Sequence, residues 1–200
     1  MEGGVNMKIE VKQIKIEANE FSPEVLRSTL FTQGMNYPKG YELEKRYVYD
    51  YELEFFIDSQ GTMFIDDKLY TINKGDIVFR RPGQTTQGIM PYSCYLICFD
   101  LTGDSGKKAD TYNFFTTQEF QNYYVNPILQ AIPGVFHPPS GEKYQYLFDS
   151  VLKGFINPSD STTIMLKSNI LQIIYQLYMD VNNFSTVNTM LFSSHYLTVK

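Results

Sequence analysis

The chain has 200 residues, of which 43% are hydrophobic and 20% are charged, so it is long enough to bury the core of one folded domain. Its formal net charge of -5 and its scattered Lys and Arg residues exclude a large phosphate-binding surface, and hence DNA binding by this segment alone. Because the sequence has neither a secretory signal pattern nor an apolar run of the roughly 20 residues that a membrane span needs, we expect a cytoplasmic protein without membrane partners.

The first half of the sequence has the pattern of a β-domain. Residues 1–20 alternate apolar and polar side chains, which predicts a first strand or an N-terminal arm. Residues 21–106 contain short apolar and aromatic runs separated by turn residues, and this spacing predicts a barrel or a sandwich. The predicted strands are 41–49, 51–57, 62–65, 69–72, 77–79 and 92–99. The two cysteines, Cys94 and Cys98, share the last of these strands at a separation of roughly 13 Å, which is too large for a disulfide.

Residues 107–182 change to a helical period. Apolar residues between Tyr144 and Phe155 repeat at helical spacing and predict an amphipathic helix. In the next predicted helix, about 161–182, they cover an arc of about 200°, roughly twice what one contact surface needs. We therefore predict that this helix packs both on its own chain and on a second copy, the alternative being that its own chain covers both sides. The predicted dimer-interface residues are Ile164, Leu166, Ile170, Leu171, Ile174, Leu177 and Tyr178. Residues 183–200 are polar and are predicted to form a linker.

Turn residues occur at regular intervals in the segment 51–84. Gly75 can adopt a positive φ at a tight hairpin, and the side chain of Asp76 can bond to the turn backbone. Pro82 and Gly83 fix a second turn a few residues later. These residues predict a hairpin and a loop in one small β-domain.

Together with the aromatic stretch 95–103, this segment resembles the ligand-binding domain of the AraC/XylS family of bacterial transcription regulators. That family has an aromatic strand, a Gly turn, a short hairpin, a Lys-Gly-Asp turn, a hydrophobic strand and a Pro-Pro-Gly loop. Here Arg81 replaces the first Pro of the loop, and Lys68 replaces the hairpin Gly. The resemblance covers most of 28–182. It implies an α+β fold, in which a cupin-like double-stranded β-barrel (jelly roll) is followed by a C-terminal helical dimerisation segment.

The resemblance also implies a function. It suggests a domain that binds a small-molecule effector, a carbohydrate in the sugar-responsive members, inside the barrel and forms a homodimer through the last helix. In those members an Arg just before the first main hairpin contacts the ligand, and Arg46 matches it by position. Residues beyond the Pro-Gly loop, residues of the closing strand and nearby tyrosines complete the predicted ligand-binding set. This set is Arg46, Tyr49, Tyr51, Thr86, Gln87, Cys94, Tyr95 and Leu96.

Family members continue into two helix-turn-helix units after the helical segment. The stretch 183–200 is too short for even one such unit. We therefore expect contact with DNA only through a C-terminal domain that this sequence does not include, and a stand-alone sensor is the alternative.

Enzymes of the cupin superfamily usually hold a metal with His and Glu ligands, and this sequence lacks that set. No His occurs at the matching positions near 47–54 or in 84–87, and His137 and His195 both lie outside the predicted barrel. We therefore predict no metal site, no cofactor and no enzymatic activity.

Two alternatives to a sensor remain open. One is a metal-free cupin enzyme that acts on a sugar or a small acid, and the other is a dimerisation module with a vestigial pocket. Glu52 and Glu54 share one face of a predicted strand, where solvated carboxylates are the more common arrangement.

Overall fold

The computed structural model describes residues 11–196, with side chains as far as residue 183, so half of the predicted arm 1–20 lies outside the described residues. The strands are β1 Gln13–Lys15, β2 Glu24–Phe31, β3 Arg46–Tyr47, β4 Tyr51–Ser59, β5 Thr62–Ile65, β6 Lys68–Thr71, β7 Ile77–Arg80, β8 Thr85–Ile89, β9 Tyr92–Asp100, β10 Tyr123–Val125 and β11 Val135–Phe136. The α-helices are α1 Pro127–Ala131, α2 Gly141–Ile156 and α3 Asp160–Tyr196. The described chain is therefore α+β, with the strands preceding the long helices.

Two antiparallel sheets form most of the β part. The strand order is β11-β7-β4-β9-β2 in the five-stranded sheet and β3-β8-β5-β6 in the four-stranded sheet, while β1 and β10 pair in parallel. Residues from both large sheets share one apolar cluster, which shows that the sheets pack face to face. The cluster contains Phe56, Met63, Ile65, Ile72, Val78, Met90, Tyr92 and Cys94.

Alternation along β4 gives the five-stranded sheet two different faces. Tyr51, Leu53 and Phe55 point away from the second sheet and join the core that the sheet makes with α2 and α3. The ring of Phe55 lies 5.7 Å from that of Phe148 on α2, measured between centroids. Burial of one such side chain contributes about 1.5–3 kcal/mol. The side chains between them point to the other sheet, because successive residues of a strand face opposite sides.

The last helix is longer than the sequence predicts. It begins at Asp160 and ends at Tyr196, so the stretch 183–196 is helical rather than part of the predicted linker 183–200. No Gly or Pro occurs in this helix to end it earlier. No helix in the described part of the chain is long and apolar enough to cross a membrane.

Three of the predicted dimer-interface residues are buried inside their own chain. Ile170, Ile174 and Leu177 belong to the core between the helices and the five-stranded sheet and are at most 2% exposed. They are inaccessible to a second copy, which corrects the prediction for these positions. The predicted arc is wide because the helix contacts both α2 and the sheet edge of its own chain.

The remaining predicted interface residues keep some access to solvent. Leu166 and Tyr178 are half-buried, and Leu166 packs at the border of the same core. Ile164 is 72% exposed and Leu171 is 37% exposed. These two leave an apolar strip on the outer side of α3.

Candidate ligand-binding cavity

The register of the five-stranded sheet aligns inward-facing side chains from four strands in rows. The first row contains one residue from each of four neighbouring strands, each paired with the next. These residues are Arg27 on β2, Cys98 on β9, Glu52 on β4 and Arg80 on β7. The second row is Thr29, Leu96 and Glu54, and the third row is Phe31, Cys94 and Phe56. The interior therefore changes from charged to apolar over three rows.

Arg80 is the central cation of this interior and is 2% exposed. Its Nη2 lies 2.9 Å from Glu52 Oε2 and 2.9 Å from Glu54 Oε1, and its Nη1 donates to Thr86 Oγ1 of the facing sheet at 3.0 Å. Arg46 donates from both terminal nitrogens to the two oxygens of Glu52, at 2.7 Å and 2.8 Å. We call Arg46, Glu52, Glu54 and Arg80 the charged cluster. Both glutamates are buried, which corrects the expectation that they are solvated.

The two glutamates differ in their electrostatic surroundings. Burial alone raises the pKa of Glu52, but attraction to Arg46 and Arg80 outweighs it, and the pKa lies below its usual value. Burial also raises the pKa of Glu54, and attraction to Arg80 offsets this only in part, so that pKa stays above its usual value. The cluster therefore favours the ionised form of Glu52 more strongly than that of Glu54.

Several buried polar atoms in this region have no hydrogen-bond partner among the described residues. They are Nε of Arg27, Oε2 of Glu54, and Nε of Arg80. The contacts of Arg80 Nη2 are ion pairs that lack the alignment of hydrogen bonds. Since buried polar groups in folded proteins are nearly always paired, these are the atoms to which water or a ligand can bond.

A cavity of about 420 Å³ lies between the sheets next to the charged cluster. Its walls are mainly apolar and include Leu30, Phe31, Leu43, Tyr92 and Leu96. Its polar lining comes from the first two rows, and from the facing sheet, where Arg46 and Thr86 are neighbours in adjacent strands. The polar residues of these two rows are Arg27, Arg80, Thr29 and Glu54, and Glu44 adds a further carboxylate. The cavity lies within the size range of small-molecule sites.

Two phenylalanines from the segment 101–122, which we call the roof loop, close one side of the cavity. The guanidinium carbon of Arg46 lies 4.7 Å from the ring centroid of Phe114, and that of Arg27 lies 5.2 Å from it. Phe115 packs on Phe114 with ring centroids 4.1 Å apart and the rings tilted by 32°, and it is largely exposed. The loop thus places an aromatic ring against two cations at the charged end.

Asp50 anchors the roof loop from the start of β4. It is fully buried and accepts hydrogen bonds from Lys107 Nζ at 2.8 Å, from the Tyr112 hydroxyl at 2.9 Å and from Gln121 Nε2 at 3.1 Å. Burial raises the pKa of Asp50, and the ion pair with Lys107 counters this only in part. Three positions along the loop are therefore fixed by one carboxylate.

Four of the eight sequence-predicted ligand-binding residues line this cavity, namely Arg46, Thr86, Cys94 and Leu96. The other four are elsewhere. Tyr51 and Tyr95 face the helices, Tyr49 packs on Phe120 at 5.0 Å between centroids, and Gln87 donates to the carbonyl of Leu43 at 3.0 Å. Tyr51 and Tyr95 lie one residue out of phase with the inward positions, so they are corrected as cavity residues.

Sequence reasoning missed Arg27, Glu54, Arg80 and Phe114 as lining residues. A signal for Glu54 existed, because the apolar residues on either side of it in the sequence must face a core and therefore direct it to the opposite side. No comparable signal marks Phe114, which lies in a loop without regular secondary structure.

The charged cluster does not fit a metal ion. The cation that faces Glu52 and Glu54 is the guanidinium of Arg80. In the described part of the chain, no group of three or more His, Cys, Asp or Glu residues is arranged to hold a metal.

No protein-family model matches the chain, and no curated protein matches it significantly. Among solved structures, it is similar to a cupin 2 conserved barrel domain protein from Salinispora arenicola, at 14% identity and a TM-score of 0.31, over 55% of this chain and 93% of that one. It is also similar to the plu4264 protein from Photorhabdus luminescens, at 17% identity and a TM-score of 0.30, over 42% of this chain and 78% of that one.

A third similar structure is the Clostridium difficile EutQ protein, at 20% identity and a TM-score of 0.27, over 33% of this chain and 52% of that one. The match to oxalate decarboxylase from Bacillus subtilis spans 20% of that chain. These neighbours are cupin-family proteins, and likeness at such TM-scores carries no conclusion about what the cavity binds.

Proposed function

We propose that this chain is the effector-sensing and dimerisation domain of a bacterial AraC-type transcription regulator, which binds a small metabolite inside a cupin-like barrel. The observation that supports this most directly is the cavity of about 420 Å³ with apolar walls and unpaired buried polar atoms. Small-molecule sites combine these features, because apolar walls provide burial and a few polar groups fix the orientation of the ligand.

The unpaired atoms support a bound molecule in energetic terms. A buried donor or acceptor without a partner costs about 1–3 kcal/mol. Arg27 and Glu54 each hold one such atom in the lining of the cavity. A ligand that bonds to them recovers this cost and stabilises the folded domain.

The two faces of the five-stranded sheet support a role in signalling. Leu96 and Glu54 line the cavity, while Phe55 and Tyr95 beside them in sequence pack on Phe148 of α2. A ligand that shifts the inward residues therefore acts on the same strands that hold the helices. This arrangement suits a sensor whose output passes through α2 and α3.

The resemblance adds further parts to the proposal. It implies a homodimer in the cytoplasm, a carbohydrate effector, and a separate helix-turn-helix domain that contacts DNA. The exposed Ile164 and Leu171 of α3 support the dimer, because exposed apolar residues on one helix face are typical of contact surfaces.

A metal-free cupin enzyme is the second candidate function. The raised pKa of Glu54, caused first by burial, favours it, because a carboxyl that holds its proton more tightly than usual is better suited to act as a general acid. Formation of a product distinguishes this candidate from a sensor.

The test is a panel of sugars, carboxylic acids and amino acids, measured by thermal shift and followed by mass spectrometry. A true effector at about a hundred times its Kd adds about 2.7 kcal/mol, which raises Tm by about 5 to 10 °C. Leu96→Phe fills the cavity and should abolish this shift. The matched control Leu69→Phe changes an exposed residue of β6 and should retain it.

Loss of the shift in both variants, or no shift with any compound, contradicts a ligand-binding domain. Conversion of a compound to a product supports the enzyme instead.

A further inference from the structure

Arg27 is a cation in the cavity lining for which the described residues provide no carboxylate partner. Its Nε is buried and makes no hydrogen bond, and its guanidinium contacts only the face of Phe114 among the interactions of its charged group. By contrast, Arg46 and Arg80 are both paired with carboxylates. Arg27 is therefore the cation of this cavity that is available to a ligand.

The two glutamates of the charged cluster do not form an ion pair with Arg27. Glu52 lies two strands away in the same row, but Arg46 occupies both of its oxygens and Arg80 lies against Oε2. Glu54 pairs with Arg80 through Oε1. Arg27 is thus the guanidinium of the cavity lining that forms no ion pair with a carboxylate of the described residues.

The rest of the lining defines the body of the ligand. Beyond Arg27 and the charged cluster, most of the lining is apolar, and its polar members are Thr29, Glu44 and Thr86. The apolar side chains include Leu30, Phe31, Leu43, Tyr92 and Leu96. These side chains offer apolar surface and few hydrogen-bonding groups, whereas a sugar needs partners for hydroxyls on all its sides. The lining matches a molecule that is polar at one end and apolar at the other.

From this arrangement we infer that the cavity takes a small organic carboxylic acid with an apolar body, whose carboxylate pairs with Arg27. The inference rests on the proposed ligand-binding function and replaces its carbohydrate effector. A guanidinium suits a carboxylate because its planar group of donors matches the two oxygens. Glu54 Oε2, which is buried without a hydrogen-bond partner, gives a second polar contact when it carries a proton, since a protonated carboxyl donates as well as accepts.

Isothermal titration calorimetry near neutral pH with phenylacetate and octanoate, and with their amides, tests the carboxylate directly. The acids should bind the wild-type domain at least about tenfold more tightly than phenylacetamide and octanamide, because only the acids form a charged pair with Arg27. Arg27→Gln should weaken the acids by about ten- to a hundredfold and leave the amides unchanged. Arg27→Lys, which keeps the charge but not the planar group, should give intermediate binding.

The matched control is Lys68→Gln, which removes one positive charge from an exposed position on β6, outside the cavity. It should bind the acids as the wild type does. Circular dichroism checks that the variants fold, and if Arg27→Gln does not fold, the lower affinity of Arg27→Lys carries the test.

Equal binding of acids and amides, or undiminished binding of the acids by Arg27→Gln, overturns the inference. Binding of L-arabinose or D-glucose without binding of the acids also overturns it, while the proposed sensor function stands. Failure of every compound in this set and in the larger panel rejects both.

Discussion

Glu52 and Glu54 project from the same face of β4 and share Arg80, yet their pKa values move in opposite directions. Glu52 has two guanidinium partners, and their attraction outweighs the cost of burial. Glu54 has only Arg80 as an ion-pair partner, and this attraction does not outweigh the cost of burial. One additional ion pair, from Arg46 on the neighbouring sheet, thus accounts for the opposite directions of the two pKa shifts.

The raised pKa of Glu54 predicts how stability depends on pH. The ordinary pKa is 4.5 and the folded value is higher, so the folded state holds its proton more tightly. The contribution of Glu54 to stability is therefore full below the ordinary pKa and is lost as pH rises through the folded pKa. Glu54→Gln mimics the neutral form and should remove this loss, which urea unfolding from about pH 5 to about pH 8 measures.

Glu52→Gln is the contrasting variant. Because it leaves Arg46 and Arg80 without their shared negative charge, it should destabilise the domain by about 3–5 kcal/mol at neutral pH. An unchanged pH slope in Glu54→Gln, or a mild effect of Glu52→Gln, contradicts the assignment of charges.

At the scale of elements, the roof loop depends on a carboxylate at the start of β4 rather than on secondary structure of its own. Asp50→Asn removes the charge that holds Lys107 and should cost about 3–5 kcal/mol, because a buried ion pair loses one partner. We expect faster hydrogen–deuterium exchange in residues 101–122 and faster release of a bound ligand. Asp110→Asn, which removes the same charge from an exposed position of the same loop, is the control.

Exchange in the loop that is the same in Asp50→Asn and Asp110→Asn contradicts the anchoring role. Faster exchange over the whole domain also contradicts it, since the effect then comes from global unfolding.

Local patterns predicted the elements better than their arrangement. The turn at Gly75 is confirmed, because Gly75 has a φ of 89° and Asp76 Oδ2 accepts a hydrogen bond from the backbone N–H of Asn73 at 2.7 Å. The amphipathic helix between Tyr144 and Phe155 is also confirmed within α2. Turns and helical periodicity depend on residues that are close together in the sequence, so a single sequence is enough to predict them.

The lining of the cavity depends on contacts that are distant in sequence. The alternation of residues showed that β4 and β9 each have two faces, but it did not show which face lines the cavity. Tyr51 and Tyr95 were therefore predicted to line the cavity, whereas they face the helices. Arg27 follows a register shift in β2, which a pattern of alternation does not predict. Phe114 reaches the cavity only because Asp50 holds a loop that begins some fifty residues later in the chain.

At the scale of the whole molecule, the sheet that faces the cavity also supports the helix that carries the exposed strip. Ile164, Leu171 and Tyr175 lie seven and four residues apart on α3, a spacing that keeps them on one side of a helix. Their neighbours Ile170 and Leu177 are buried in the core. The inner side of α3 therefore stabilises the chain, and the outer side is the part available to a second copy.

Because the inner and outer sides of α3 have different roles, substitutions on the outer side test the dimer specifically. The double variant Ile164→Glu/Leu171→Glu puts charges in the proposed interface without touching the core. Since burial of each such side chain contributes about 1.5–3 kcal/mol, we expect dimerisation to weaken by at least about a hundredfold. The control Leu69→Glu changes an exposed apolar residue of β6, in the four-stranded sheet, and should leave the dimer intact. Light scattering coupled to size-exclusion chromatography measures the mass, and a wild-type monomer at every concentration, or equal effects of both variants, contradicts this interface.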